Sequence, residues 1–309
     1  MAQLATLGEV HEKVDALSKN CFDDLINVQD LTFDGIDTVR IAGEPHHLQE
    51  QAVQGIAFRL GIPVSYLKKC PVDVQAFNMN HWIKHEKNTE LFFRFSGEDV
   101  RAVFSPKYVP VDNWEVLQHL ETMGYNSDTE VQCRLDSEFM SLSILEGKKG
   151  FSINGDKFRP GTAISNSEVG KAALSISAFV MRLICSNGLI GRTDVSKSFR
   201  HVSDKILNKI PEVLEKIALE VSMQRDKFKL SLESPVDNPE TTIESFNRQF
   251  LLSSQEKEAV EWAFPFEQGN NLFSVVNTYT KASQFEDLSA ASSFKLQKTG
   301  GNILSMLKA

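Results

Sequence analysis

From Leu91 to Arg192 the chain keeps returning to one device. A run rich in β-branched and aromatic residues is followed by a bend of Gly, Asn, Asp or Ser. Leu91–Phe95 and Val100–Phe104 flank Ser96-Gly97-Glu98-Asp99, and Val131–Leu135 and Phe139–Leu145 flank Asp136-Ser137. Phe151–Ile153 runs into Asn154-Gly155. Gly161–Ser165 then leads through Asn166-Ser167-Glu168-Val169-Gly170 into Leu174–Ile184, and Cys185-Ser186-Asn187-Gly188 closes the stretch with an Asn-Gly turn. Short runs joined by tight bends pair with their neighbours as hairpins. They favour an antiparallel α+β arrangement over a βαβ sheet. One helix, Trp114–Met123, is inserted after the second strand, capped by Asp112 or Asn113 and stopped by Gly124.

The flanks have a different period. Leu4, Leu7, Val10, Val14 and Leu17 recur at three- and four-residue spacing, which predicts an amphipathic helix and a connector over residues 1–30. Leu31–Ile41 reads as a hairpin around Asp34-Gly35. Pro45–Lys84 reads as three helices. Pro45 stands in the first turn of one whose stripe is Leu48, Ala52, Ile56 and Leu60, and Gly61 ends it. Val64–Lys69 and Pro71–Trp82 follow. Ala52, Leu60-Gly61-Ile62 and Leu67 also fit a helix-turn-helix, with Lys68 and Lys69 placed for phosphates, but a plain three-helix packing unit fits them as well. Beyond Arg192 a long helix is expected over Ser198–Phe228, then a linker over Leu232–Thr242 and further helices to the end. The fold class is α+β, a central, mainly antiparallel sheet with helical N- and C-terminal parts. The divisions fall at 1–90, 91–192 and 193–309, packed as one unit.

Composition removes several function classes. Of 309 residues, 41% are hydrophobic and 24% charged, the balance of a soluble globular protein. No apolar run approaches the roughly 18 residues of a membrane span. Met1–Lys19 lacks a basic leader and is not read as a secretion signal. The four cysteines are scattered without a CxxC or a Cys/His cluster, so neither zinc nor a disulfide framework is implied and a reducing cytoplasm fits. No P-loop or GxGxxG is present, and no cofactor or metal is expected. A net charge of −8 opposes broad adhesion to nucleic acid but leaves room for a local basic groove.

Arg94, Arg101, Lys107 and Tyr108 cluster on or beside one hairpin. Arg182, Arg192, Lys197, Arg200 and Lys205 continue the basic character into the next segment. Together they are the candidates for holding a single strand, cations on phosphates and an aromatic ring against a base. Asn113, Asn166, Ser167 and Asn187 are polar candidates for a shared cavity. As an enzyme, the chain would add Asp112 and Glu168 to them, with Cys185 activated by His201. Each also has a structural reading. Arg94 and Arg101 can pair with Glu90, Glu98 or Asp99, Lys107 and Tyr108 can pack the loop, Glu168 can cap a turn, and Cys185 can be a small buried residue.

Three phrases carry a family resemblance. Arg101-Ala102-Val103-Phe104-Ser105-Pro106-Lys107-Tyr108 through Asp112-Asn113 is one. Asn166-Ser167-Glu168-Val169-Gly170, followed by Arg182-Leu183-Ile184-Cys185-Ser186-Asn187-Gly188-Leu189, is the second. Asn271–Lys281 is the third. Leu60-Gly61-Ile62-Pro63 with Tyr66-Leu67 and Cys70-Pro71 adds to them. In this order they resemble the domain of unknown function 932, a phage- and plasmid-borne family that includes prophage proteins. The resemblance implies a mobile-element setting in a host cell and brings no established catalytic residues. The expectation is a cytoplasmic protein that binds single-stranded nucleic acid and assists recombination or replication. The alternatives are an interaction module in phage defence or counter-defence, docking on phage or host proteins, and an enzyme with a polar cleft. Association with a second copy stays open.

Overall fold

The computed structural model describes residues 4–145, 150–153, 155–182, 187–190, 197–199 and 225–307. A short strand, β1 (Leu4–Thr6), leads into α1 (Leu7–Ser18), whose start is closed by a capping box between Thr6 and Glu9. Leu7, Val10 and Val14 are buried, but Leu4 belongs to the strand and Leu17 faces outward. The expected connector is instead a strand, β2 (Cys21–Asn27), with both Phe22 and Leu25 exposed. Its residues do not alternate in polarity because it lies at the edge of its sheet. A small meander follows: β3 (Leu31–Phe33), β4 (Thr38–Ile41) and β5 (Glu44–His47). Pro45 therefore sits in an edge strand, where its missing N–H is tolerated, and not in a helix.

The helical unit comes next: α2 (Glu50–Leu60), α3 (Val64–Leu67) and α4 (Val72–Ile83). Gly61 ends α2 in the left-handed conformation, φ 70°. With four residues, α3 is a single turn, too short to serve as a recognition helix, so the packing-unit reading holds. The hairpin β6 (Glu90–Ser96) and β7 (Asp99–Phe104) pairs with β2 as a three-stranded sheet, β2-β6-β7. Phe33, Met79, Leu91, Phe93 and Val100 fill the core between this sheet, the meander and α2 and α4. Each such buried side chain contributes roughly 1.5–3 kcal/mol.

The main sheet collects the hairpins of the middle of the chain. After α5 (Asn113–Thr122) come β8 (Glu130–Leu135), β9 (Met140–Leu145), β10 (Phe151–Ile153), β11 (Asp156–Asn166), β12 (Leu174–Arg182), β13 (Asn187–Ile190) and β14 (Lys197–Phe199). All pair antiparallel in the order β1-β8-β9-β11-β12-β13, with β10 also beside β11 and β14 beside β12. Pro160 lies where β11 passes from β10 to β9, a point at which that ladder is already interrupted. Beside it, a Cβ at Gly161 would stand 2.1 Å from Ile144 O, so only glycine lets the two strands approach there. Leu142, Ile144, Ile164 and Ile176 pack against Val10 and Val14 of α1 and Val116, Leu117 and Leu120 of α5. Ala163, Phe179 and Met181 gather in a second cluster with Phe294, as the two-residue period of a strand requires.

The C-terminal part comprises α6 (225–233), α7 (Pro239–Gln249), α8 (Ser254–Ala263), α9 (Leu272–Ala282) and α10 (Ala290–Ser305). Phe158 and Val180 of the sheet meet Phe228, Phe273 and Tyr279 in its core. Two expectations are corrected here. Asn187 and Gly188 begin a strand and do not form a turn, and Lys197–Phe199 is a strand where the long helix was expected to begin. The rest of that expected helix, up to residue 224, lies outside the described residues. The architecture is α+β with antiparallel sheets.

Candidate functional site

The bend that follows β11 is fixed by its own polar groups. Ser167 Oγ donates to Glu138 O at 2.7 Å and accepts from Lys171 N at 3.0 Å, and Lys171 Nζ reaches Glu138 Oε2 at 2.5 Å. Gly170 takes φ +81°, with the Phe104 ring against it. This geometry turns Glu168 inward. Its carboxylate accepts from Arg101 Nη2 and, at 2.7 Å, from Asn113 N at the start of α5. A carboxylate at a helix N-terminus meets unpaired N–H groups and the positive end of the dipole.

Arg94, on the neighbouring strand, is 3% exposed. Its Nε and Nη2 donate to the two oxygens of Asp23 at 2.9 and 3.1 Å, its Nη2 also to Asp112 Oδ1 at 2.5 Å, and its Nη1 to Glu168 O at 3.1 Å. Arg101 Nη1 donates to Cys21 Sγ at 3.1 Å. Asn166 Nδ2 donates to Val111 O at 2.9 Å and Asn113 Oδ1 at 3.0 Å. Tyr108 stacks on Phe104, ring centroids 3.9 Å apart, and bonds to Arg94. Burial opposes charge at Asp112 and at Arg94. It pushes Asp112 up from the usual carboxylate range, with Arg94 pulling the other way and Glu168 adding to the rise. It also works against the Arg94 charge, but Asp112 and Asp23 outweigh it and hold the guanidinium firmly protonated.

Six of the nominated residues, Arg94, Arg101, Tyr108, Asn113, Asn166 and Ser167, thus converge, together with Asp112 and Glu168. Small cavities of about 100 and 210 Å³ flank Glu168. The guanidiniums, however, are turned inward and spent on carboxylates of the same chain. A phosphate would have to displace those partners, so the cluster is built as a joint between β2, the β6–β7 hairpin, α5 and the bend after β11. Lys107 is exposed on its loop and makes no polar contact within the described residues. Arg182 is elsewhere. It pairs with Glu267 and Asp156, each at 2.8 Å, and lies over the Phe273 ring. The backbone of Asn187 pairs with Arg182, and Lys197 is on β14. Arg192, Arg200, Lys205, Cys185 and His201 lie outside the described residues.

A different surface carries exposed rings, and two lysines with no acid partner among the described residues. On α4 and its last turn, Phe77, His81 and His85 follow at four-residue spacing and share one face, with Trp82 beside them. Neighbouring ring centroids lie 5.0–6.1 Å apart. Phe77 is 71% exposed and Trp82 45%. Next to the row a cleft of about 620 Å³ opens between the end of β2, β3 and the end of α4, with Lys84 and Lys87 in its wall. Sequence reasoning misses this row. Its signal is the recurrence of rings every fourth residue, overshadowed by the search for apolar stripes.

Among the described residues no group of His, Cys, Asp and Glu is placed to hold a metal ion. No helix among them is long and apolar enough to cross a membrane. A family model described as Domain of unknown function (DUF932) matches residues 100–282. Searches of curated proteins and of solved structures give no match. Arg101, Asp112, Asn113, Asn166 and Glu168 fall within the matched segment, whereas Cys21, Asp23, Arg94 and the ring row on α4 precede it.

Proposed function

The chain belongs to the family of the domain of unknown function 932, and from that premise and the surface on α4 we propose that it binds single-stranded nucleic acid, in the service of a phage or plasmid. The observation that carries the reading is the exposed row Phe77, His81, Trp82 and His85 with Lys84 beside it. Every base has a π-face, so such a row accepts bases of any sequence, at about 1–3 kcal/mol per stacked base. Bases are available for stacking only when they are unpaired, which favours a single strand over a duplex. The one-turn α3 supports the same preference, since it offers nothing to fill a major groove. An acidic body with a local cationic edge confines the polyanion to that edge and keeps binding dependent on stacking as much as on charge.

The test is a titration of a labelled single-stranded oligonucleotide over a salt series. With Lys84 and Lys87 as the phosphate contacts, the logarithmic slope is about −1.4, from about −0.7 per phosphate on a single strand. No binding at low salt overturns the proposal.

A further inference from the structure

The cleft beside the ring row differs from the row in chemistry. Its floor is apolar, with Leu31 and Ile83, and its rim is polar. Glu86 is the one acid in the described lining, and it is occupied: Arg59 stands 3.6 Å away, and Asn88 donates to it from both backbone and side chain. Lys84 and Lys87 have no acid partner among the described residues, so the cleft is cationic. Asn80 is pinned as a rigid wall, exchanging two bonds of 2.8 Å with the backbone of Phe33. The side chains of Gln29, Thr32 and Thr89 make no bond of their own within the described residues and are available to a ligand. On the helical wheel Lys84 lies between Asn80 of the cleft and His81 of the row, so the two surfaces are continuous.

We propose that this cleft is a pocket for one nucleotide, with the phosphate on Lys84 and Lys87 and the base over the apolar floor, its edge toward the free amide and hydroxyl groups. The proposal rests on the single-strand reading, since it makes the cleft the anchoring end of the strand that stacks along α4. A volume of about 620 Å³ falls among ligand pockets, which run to roughly 300–1,000 Å³. A mixed lining of apolar floor, unpaired hydrogen-bonding groups and two cations suits a base joined to a phosphate better than either alone.

Thymidine 5′-monophosphate, thymidine and inorganic phosphate are titrated separately into the full chain by calorimetry, and a labelled oligonucleotide is titrated alongside. The monophosphate is expected to bind more tightly than either of its parts, and Lys84→Ala with Lys87→Ala to weaken it by roughly tenfold. Phe77→Ala with Trp82→Ala leaves the monophosphate affinity unchanged while weakening the oligonucleotide. Both pairs of residues are exposed, so neither variant threatens the fold. If the oligonucleotide binds the wild type but the monophosphate does not, or binds no better than phosphate, the pocket is overturned and the single-strand reading stands. If the monophosphate binds through the two lysines and the oligonucleotide does not bind at all, the pocket stands and the strand reading falls.

Discussion

Arg101 and Glu168, 67 positions apart in the chain, form a buried ion pair that ties the β6–β7 hairpin to the bend after β11. The same bend receives Arg94 through the Glu168 carbonyl, and Arg94 continues to Asp23 on β2 and Asp112 at the head of α5. A small sheet, a helix terminus and the main sheet are thereby fastened at one point. Of the nominated cations, Arg94 and Arg101 are already neutralised there and are not free to hold a phosphate.

Glu168→Gln leaves the Arg101 guanidinium buried without a counter-charge. Breaking one side of a buried pair costs about 3–5 kcal/mol. Replacing both partners, Arg101→Leu with Glu168→Leu, is expected to recover much of that loss, though the Asn113 N–H stays orphaned. Denaturant midpoints at unchanged slope check both variants.

Gly170→Ala puts a side chain at φ +81° and a Cβ 2.7 Å from the Phe104 ring. The left-handed backbone alone costs about 1–2 kcal/mol, and the ring must also move off Tyr108. The expected outcome is a lowered melting temperature with a change in the near-ultraviolet circular dichroism of Tyr108.

Glu86 is buried against its charge, but the N–H groups of Asn88 and the Arg59 guanidinium outweigh burial and hold its carboxyl below the ordinary 4.5. A folded-state value below the unfolded one adds stability that is complete above the unfolded value and is lost as pH falls through the folded one. Wild type is therefore expected to exceed Glu86→Gln in stability at neutral pH, and the gap to close as pH drops below about 4.5. Unfolding curves of the two proteins at stepped pH check the sign.

The local signals were the legible ones. Gly97, Gly61 and the cap at Asp112, one of the two positions the sequence offered, each act within a few residues, and the structure places them where local signals imply. The stripe of Val10 and Val14 was readable for the same reason. Errors arose where a neighbour distant in sequence decides the outcome. Cys21–Asn27 is a strand because β6 lies beside it, not because Phe-Asp-Asp-Leu-Ile prefers to be one. Pro45 follows an edge, and edges are set by the whole sheet. The convergence of Arg94, Arg101, Asn113, Asn166 and Ser167 could be anticipated from their shared setting in turns and hairpins. The partner of Arg94, Asp23, 71 positions away, could not.

Trp82 tests the proposal that α4 is a stacking platform most directly, because the chain has three tryptophans and the other two can be removed. In a protein carrying Trp114→Phe and Trp262→Phe, the emission of Trp82 is recorded as single-stranded oligothymidine is added at low salt. Quenching that saturates, and that disappears in the same background with added Lys84→Ala and Lys87→Ala at equal concentrations, is the predicted result. Emission unchanged at oligonucleotide concentrations that saturate binding by anisotropy would place the strand elsewhere on the molecule and contradict the stacking role of α4.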